Sequence, residues 1–221
     1  NLFLARQRGH GLSTKEAFKG NTANSYMLSA MEALAVGQKL GDKIIIVGTS
    51  TGAAQAIWLA AQFPELVEGL ILYSPYIALK DPSTEKLALG PWGESLTKLV
   101  MGGEINHENR PDSVAAYWSE DYHLDAYFSL FSMIKESMKP EVFKKVKCPV
   151  FMAYYYKDEE NQDDVVSVSA MKEMFKQLGT ENKKSIAFPN TGNHVIASNL
   201  RSKDWIGVQD SSWVFLKSIV K

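Results

Sequence analysis

The sequence is poor in cysteine, in histidine and in long apolar runs. It contains one cysteine, Cys148, among 221 residues, so no disulfide can form within the chain and no cluster of cysteine metal ligands exists. The four histidines are scattered and match no metal-binding spacing such as H-E-x-x-H. We therefore expect no metal site. No apolar run is long enough to cross a bilayer.

The chain also lacks an excess of charge of either sign. The chain carries 24 Lys and Arg against 25 Asp and Glu, a net charge of −1, and no block of like charges. This balance argues against nucleic acid and against an anionic membrane surface as partners. A hydrophobic share of 45% suits one globular domain with a sizeable core. Composition leaves the compartment and the oligomeric state open.

The most informative stretch runs from Lys43 to Ala61. Ile44–Val47 is an unbroken apolar run of mostly β-branched residues, typical of a strand buried on both faces of a parallel sheet. The turn Gly48–Gly52 reads G-x-S-x-G, and an Ala-rich helix pattern follows. Strand, glycine turn and helix together predict a nucleophile elbow, with Ser50 exposed at the strand end and at the positive end of the helix. The alternative is an ordinary turn with a passive serine.

Similar units of strand and helix recur along the chain. Between them, residues 76–147 lack strand signals, show short helical patterns and are rich in aromatic residues. We interpret residues 76–147 as a helical lid, and residues 1–75 and 148–221 as the core. The fold class is α/β, with a mostly parallel, doubly wound sheet. The predicted strands are Leu2–Ala5, Ile44–Val47, Gly69–Tyr73, Val150–Tyr156 and Ser185–Phe188.

Three polar candidates follow predicted strands. They are Ser50, the acidic loop Asp158–Asp164 and His194. Ligands of parallel sheets bind beyond the carboxyl ends of the strands, so these groups are expected to share one edge. A serine hydroxyl needs a base to take its proton, and the base needs a carboxylate to hold its tautomer. The chain order Ser, Asp, His therefore predicts nucleophilic catalysis.

On four motifs the sequence resembles the α/β-hydrolase fold family, and most closely its lidded, lipase-like serine esterases. The resemblance covers nearly the whole chain outside residues 76–147. It implies an α/β-hydrolase fold without any cofactor. The motifs are Leu2–Gly11 with its R-G-H-G turn, the elbow Gly48–Gly52, the D-x-V-V acid loop Asp163–Val166 and the G-x-H loop Gly192–His194.

The resemblance also implies roles for single residues. Ser50 is the expected nucleophile, His194 the general base and then acid, and Asp163 the carboxylate that orients it. The backbone N–H of Thr51 is the expected oxyanion donor. Asp158 stays open as an alternative to Asp163, because it lies nearer its strand; we favour Asp163 because Val165 and Val166 follow at the family's spacing.

Four other residues are expected outside the chemistry. We interpret His10 as ordering its glycine-rich loop and Cys148 as an inert, buried thiol. His107 and His123 are expected to lie at the surface of the lid.

One family feature is missing from the sequence. Family members carry a further strand, ending in an H-G turn, which lies between the R-G-H-G strand and the elbow strand and supplies a second oxyanion donor. We expect either that such residues precede Asn1, or that Leu2–Ala5 pairs directly with Ile44–Val47, and we favour the first. We therefore expect N-terminal strands of the fold to be missing from this sequence.

The expected reaction is hydrolysis of carboxylic esters of small to medium apolar substrates through an acyl-enzyme. Hydrolysis of an amide, a thioester or a carbon–carbon bond uses the same groups and stays open. So does a ligand-binding protein without catalysis on the same fold, which the missing oxyanion strand favours.

Overall fold

In the computed structural model, which describes residues 1–11 and 15–220, the chain divides into two compact units. The first comprises Asn1–Val36 and Pro82–Glu136, and the second Gly37–Asp81 and Ser137–Lys221. The predicted boundaries of core and lid stay a prediction.

The helices are α1 (Ala23–Leu40), α2 (Thr51–Gln62), α3 (Ser83–Ala88), α4 (Gly93–Met101), α5 (Asp112–Ala115), α6 (Asp125–Ser137), α7 (Pro140–Phe143), α8 (Val168–Gln177) and α9 (Trp205–Ile219). The strands are β1 (Ile44–Thr49), β2 (Val67–Tyr73), β3 (Ile105–His107), β4 (Asp121–His123), β5 (Val150–Tyr154) and β6 (Lys183–Ala187).

The second unit is built on a four-stranded sheet in the order β1-β2-β5-β6, and every pair is parallel. This confirms the predicted α/β class with a parallel sheet. Nearly all of β2 and every residue of β5 is buried, as their apolar sequences predict. On one face, Val208 and Phe215 of α9 pack into a core cluster with Phe151 of β5, whose ring centroid lies 5.5 Å from that of Phe215.

The elbow strand β1 differs from its prediction. It lies at an edge of the sheet, with β2 as its neighbour, and it is only partly buried. Val47 is 57% exposed. An apolar run therefore marks the strand correctly but overstates its burial, because burial depends on which elements cover the strand. A groove of about 490 Å³ lies beside it, and its lining includes Val47, Tyr73, Trp205, Trp213 and Leu216.

The first unit holds most of α1 together with α3 to α6. Tyr26 of α1 donates a hydrogen bond to the carbonyl of Ala126 in α6, at 3.5 Å. The strands β3 and β4 form an antiparallel pair, in which Ile105 pairs with His123 and Asn106 with Tyr122. The expectation that residues 76–147 hold no strand is therefore wrong. Strands of three residues are too short to show an alternating pattern.

The predicted strand Leu2–Ala5 is not formed. Residues 1–7 adopt no regular secondary structure, and the side chains of Leu2 and Leu4 are 83% and 82% exposed. A short apolar run becomes a strand only where a partner supplies the ladder of hydrogen bonds, and no such pairing includes these residues in the described sheets.

Candidate active site

Ser50 is the single residue between β1 and α2, and its backbone conformation is strained. Its φ of 53° and ψ of −114° lie in a region that residues other than glycine rarely adopt. The backbone N–H of Ser50 donates to the carbonyl of Tyr73 in β2 at 2.9 Å. Its own carbonyl accepts the N–H groups of Ala53 and Ala54, both at 3.1 Å. The turn is thus fixed on both sides through the backbone.

The two glycines of the G-x-S-x-G turn are not equivalent. A Cβ on Gly48 would lie 2.5 Å from the carbonyl oxygen of Gly52 and 2.6 Å from the nitrogen of Ala53. A Cβ on Gly52 would meet no atom within 4 Å. Close approach of the backbone therefore requires glycine at position 48 alone.

The Ser50 hydroxyl does not cap helix α2, which follows it. A serine at this position usually accepts a backbone N–H of the first turn, but Ser50 makes no such side-chain bond. Thr51 is the first residue of α2, and the first N–H groups of a helix have no partner within it. Hydroxyl and N–H donors thus meet at the positive end of α2, where a developing anion is stabilised.

Asp163 and His194 are in direct contact. Their atoms Oδ2 and Nδ1 lie 2.7 Å apart, and the two side chains are 0% and 10% exposed. The other carboxylate oxygen, Oδ1, accepts the backbone N–H groups of Val165 and Val166, both at 3.0 Å. These bonds use the D-x-V-V spacing directly, since the two valines follow the carboxylate closely enough to donate to it.

Asp158 lies apart from this pair. Its Oδ1 accepts the backbone N–H groups of Glu160 and Asn161 and the side-chain amide of Asn161, at 2.8–3.1 Å. Hydrogen bonds from the Asn161 side chain and backbone hold the pKa of Asp158 below its usual value. The structure thus uses this exposed carboxylate to order the acidic loop and brings Asp163 to the imidazole.

The loop after β6 orients His194. Gly192 adopts a φ of 64°, and the Asn193 side chain accepts the N–H of Val195 at 2.9 Å. With Nδ1 bonded to a carboxylate, Nε2 is the ring nitrogen left to accept a proton. Within residues 1–11 and 15–220, the structure gives no hydrogen bond between the Ser50 hydroxyl and His194. It therefore joins two of the three predicted residues and places the third at the elbow.

The remaining histidines lie in the first unit, whereas the site lies in the second. His10 contacts the carbonyl of Arg8 at 3.2 Å and packs edge-on against Phe18, as expected of a loop-ordering residue. His107 is exposed and pairs with Asp121 at 2.7 Å, which raises its pKa. His123 is 6% exposed, so the expectation of a surface residue is wrong there.

Ser74 was not singled out by the sequence. Ser74 directly follows β2, as Ser50 directly follows β1. It is fully buried, and its φ is 43°. Only the adjacent Pro75 marks this position in the sequence, as the end of a strand.

Residues 1–11 and 15–220 contain no group of three His, Cys, Asp or Glu side chains that could hold a metal ion. In the same residues, no helix is both long and apolar enough to cross a bilayer.

Comparison with known proteins yields a family and a fold. A family model described as serine aminopeptidase, S33, matches residues 2–127. Comparison with curated protein sequences finds no match.

Several solved structures resemble the chain at low identity. A structure from the metagenome-derived lipolytic enzymes LipS and LipT aligns with a TM-score of 0.75 and 19% identity, over 96% of this chain and 80% of that one. A monoacylglycerol lipase of Paleococcus ferrophilus aligns with a TM-score of 0.63 and 17% identity, over 96% of this chain and 80% of that one. A soluble variant of the monoglyceride lipase of Saccharomyces cerevisiae aligns with a TM-score of 0.66 and 14% identity, over 97% of this chain and 76% of that one. At these identities the likeness concerns the fold.

Proposed function

The chain belongs to the serine aminopeptidase S33 family of α/β-hydrolases, and from this premise we propose a serine hydrolase that cleaves carboxylic esters of small to medium apolar substrates. The observation that carries the proposal is the buried contact of 2.7 Å between Asp163 and His194. It lies in the same unit as a strained serine whose hydroxyl makes no capping bond.

The proposed reaction starts with attack of Ser50 Oγ on the acyl carbon. His194 Nε2 takes the hydroxyl proton as the new C–O bond forms, and Asp163 holds the ring and stabilises its charged form. The backbone N–H of Thr51 donates to the developing oxyanion. Collapse of this intermediate breaks the bond to the alkoxy group, which leaves with the proton from His194. Water then repeats the sequence on the acyl-enzyme and releases the acid.

Two observations favour an ester with an apolar part. The solved structures that share this fold include lipolytic enzymes and monoacylglycerol lipases. Residues 76–147, which we propose as a lid, are rich in aromatic side chains that suit an apolar acyl or alkoxy group. They are Trp92, Tyr117, Trp118, Tyr122, Tyr127, Phe128 and Phe131.

An amide substrate is the second candidate, because the family is described by an aminopeptidase activity. The same residues serve both bonds, but the amine needs protonation by His194 before it leaves. Comparing p-nitrophenyl esters with aminoacyl p-nitroanilides of matched size separates the two. A kcat/KM that favours the anilides would replace the ester proposal.

The direct test of catalysis uses p-nitrophenyl butyrate and two variants. Ser50→Ala should abolish hydrolysis, whereas Ser169→Ala, which changes an exposed serine on α8, should hydrolyse at the wild-type rate. Equal activity of wild type and Ser50→Ala would refute the serine mechanism. A wild-type protein that binds esters saturably without hydrolysing them would instead be a binding protein on this fold.

A further inference from the structure

The hydroxyl of Ser74 is buried without a partner. Ser74 is 0% exposed, and within residues 1–11 and 15–220 its Oγ and Thr97 Oγ1 are the two buried side-chain atoms that lack a hydrogen bond. A buried hydroxyl that has left water and found no acceptor lowers the stability of the fold. Such a group calls for an explanation, and a place near reacting groups is one.

The backbone of Ser74 is strained as well. Its φ of 43° makes it one of four described residues other than glycine with a positive φ. Ser50 is another, and the two follow the neighbouring strands β1 and β2. Strain of this kind tends to collect at functional sites, where the surrounding structure holds it in place.

Backbone contacts place Ser74 between the elbow and β5. On one side, the preceding carbonyl of Tyr73 accepts the N–H of Ser50 at 2.9 Å, and the N–H of Tyr76 donates to the Ser50 carbonyl at 3.1 Å. On the other, the N–H of Ser74 donates to the carbonyl of Ala153 in β5 at 2.8 Å.

The same segment then continues along the acid loop. The N–H of Lys80 donates to the carbonyl of Val165 at 3.0 Å, and the N–H of Ser167 donates to that of Ala78 at 2.9 Å. The segment that contains Ser74 therefore connects the elbow to the loop that carries Asp163.

Asp163 has room for one more donor. Its Oδ1 already accepts two backbone N–H groups, whereas Oδ2 accepts one bond, from His194. Each carboxylate oxygen has about two acceptor sites. The Asp163 side chain is 0% exposed, so it makes no contact with bulk solvent.

We propose that Ser74 is a positioning residue for the acid–imidazole pair, and that its hydroxyl donates a hydrogen bond to Oδ2 of Asp163. A turn of the serine side chain to another staggered rotamer redirects Oγ without moving the backbone. The effect on rate rests on the proposed function, whereas the contact between the two side chains does not.

Three variants separate the effect of the Ser74 hydroxyl on kcat from the effect of the strained backbone. Ser74→Ala removes the hydroxyl and keeps the strained φ, Ser74→Gly removes both, and Ser74→Cys keeps a weak donor of similar size. We expect kcat on p-nitrophenyl butyrate to fall about tenfold in the Ala and Gly variants, with KM within about twofold, and to fall less in the Cys variant. If the hydroxyl has no role, the Ala variant keeps the wild-type kcat and melts at a higher temperature, and the proposal is overturned.

A spectroscopic measurement tests the contact without turnover. The proton shared by His194 Nδ1 and Asp163 Oδ2 should give a downfield NMR signal that disappears in Asp163→Asn. Removing a second donor from Oδ2 strengthens the remaining bond, so the signal should move further downfield in Ser74→Ala and Ser74→Gly alike. An unmoved signal in both overturns the proposal. Should the signal escape detection in the wild type, the kcat series decides.

The two measurements also separate this inference from the proposed function. A signal that moves in a protein without any hydrolytic activity would refute the ester hydrolase and leave the contact standing. Hydrolysis that depends on Ser50, with signal and kcat indifferent to Ser74, would refute the contact and leave the hydrolase standing.

Discussion

At the scale of single residues, two carboxylates of one loop have different surroundings. Asp163 is buried and bonded to His194, whereas Asp158 is exposed and bonded to its own loop. Replacing Asp163 by Asn offers Nδ1 an amide N–H in place of an acceptor, which favours the wrong tautomer of the imidazole.

We therefore predict unequal effects of the two substitutions on ester hydrolysis. Asp163→Asn should lower kcat by a factor on the order of 10³–10⁴. Asp158→Asn, in the same loop, should stay within about threefold of wild type, as surface changes usually do. Steady-state kinetics on a p-nitrophenyl ester makes the comparison. The assignment of the acid would be wrong if Asp158→Asn proved the more damaging of the pair.

The half-buried Cys148 gives a prediction of its own. Burial raises the pKa of its thiol to about 11. Because the thiolate is the reactive form, the thiol stays protonated and slow to react at all pH values well below 11. Ellman's reagent at pH 7.5 should label the folded protein far more slowly than the protein in denaturant. Equal rates in the two conditions would contradict this account.

At the scale of elements, the turn between β1 and α2 supports a matched pair of substitutions. Gly48→Ala forces a methyl group against the backbone of Gly52 and should destabilise the fold by about 1–3 kcal/mol. Gly52→Ala finds open space inside a helix and should be neutral or stabilising by up to about 1 kcal/mol. Urea unfolding of the two variants measures both values. Equal losses would mean that the elbow needs both glycines.

The sequence predicts some elements of this molecule well because they depend on local pattern. The strand, glycine turn and helix around Ser50 are of this kind, and so are β2 and β5. Leu2–Ala5 has an equally apolar pattern, yet it forms no strand, since a strand also needs a partner that its own residues do not specify. The opposite error occurs at the three-residue strands β3 and β4. They form by pairing with each other, although no pattern in their sequences predicts a strand.

The residues of the candidate site differ in the same way: some can be predicted from local motifs, and others depend on how the chain folds. Ser50 and His194 could be chosen from their motifs, but the choice between Asp163 and Asp158 depends on how the acidic loop folds, which spacing alone does not decide. The positive φ and the unpartnered hydroxyl of Ser74 could not be predicted, because only the adjacent Pro75 marks this position in the sequence.

At the scale of the whole molecule, the open edge of β1 and the groove beside it expose apolar surface. Val47 is 57% exposed and Trp213 is 55% exposed, and both line the groove. Open sheet edges and large apolar patches bind dyes and other chains. The 221-residue chain should therefore bind the dye ANS while folded.

A charge at this edge should reduce the binding. Val47→Glu places a carboxylate at the groove, which repels the anionic dye, whereas Val214→Glu makes the same change at a 63% exposed residue of α9 that does not line it. ANS fluorescence should fall in the first variant and stay near the wild-type level in the second. Equal fluorescence in wild type and Val47→Glu would show that the groove is not the binding surface.

The central claim is that Ser50, activated by His194 and Asp163, forms a covalent acyl-enzyme. The most direct measurement is labelling by a fluorophosphonate, followed by peptide mass spectrometry to locate the adduct. The account predicts one adduct, on Ser50, which is absent in Ser50→Ala and forms orders of magnitude more slowly in His194→Gln. An adduct that persists in Ser50→Ala, or that maps to another residue in the wild type, would contradict it.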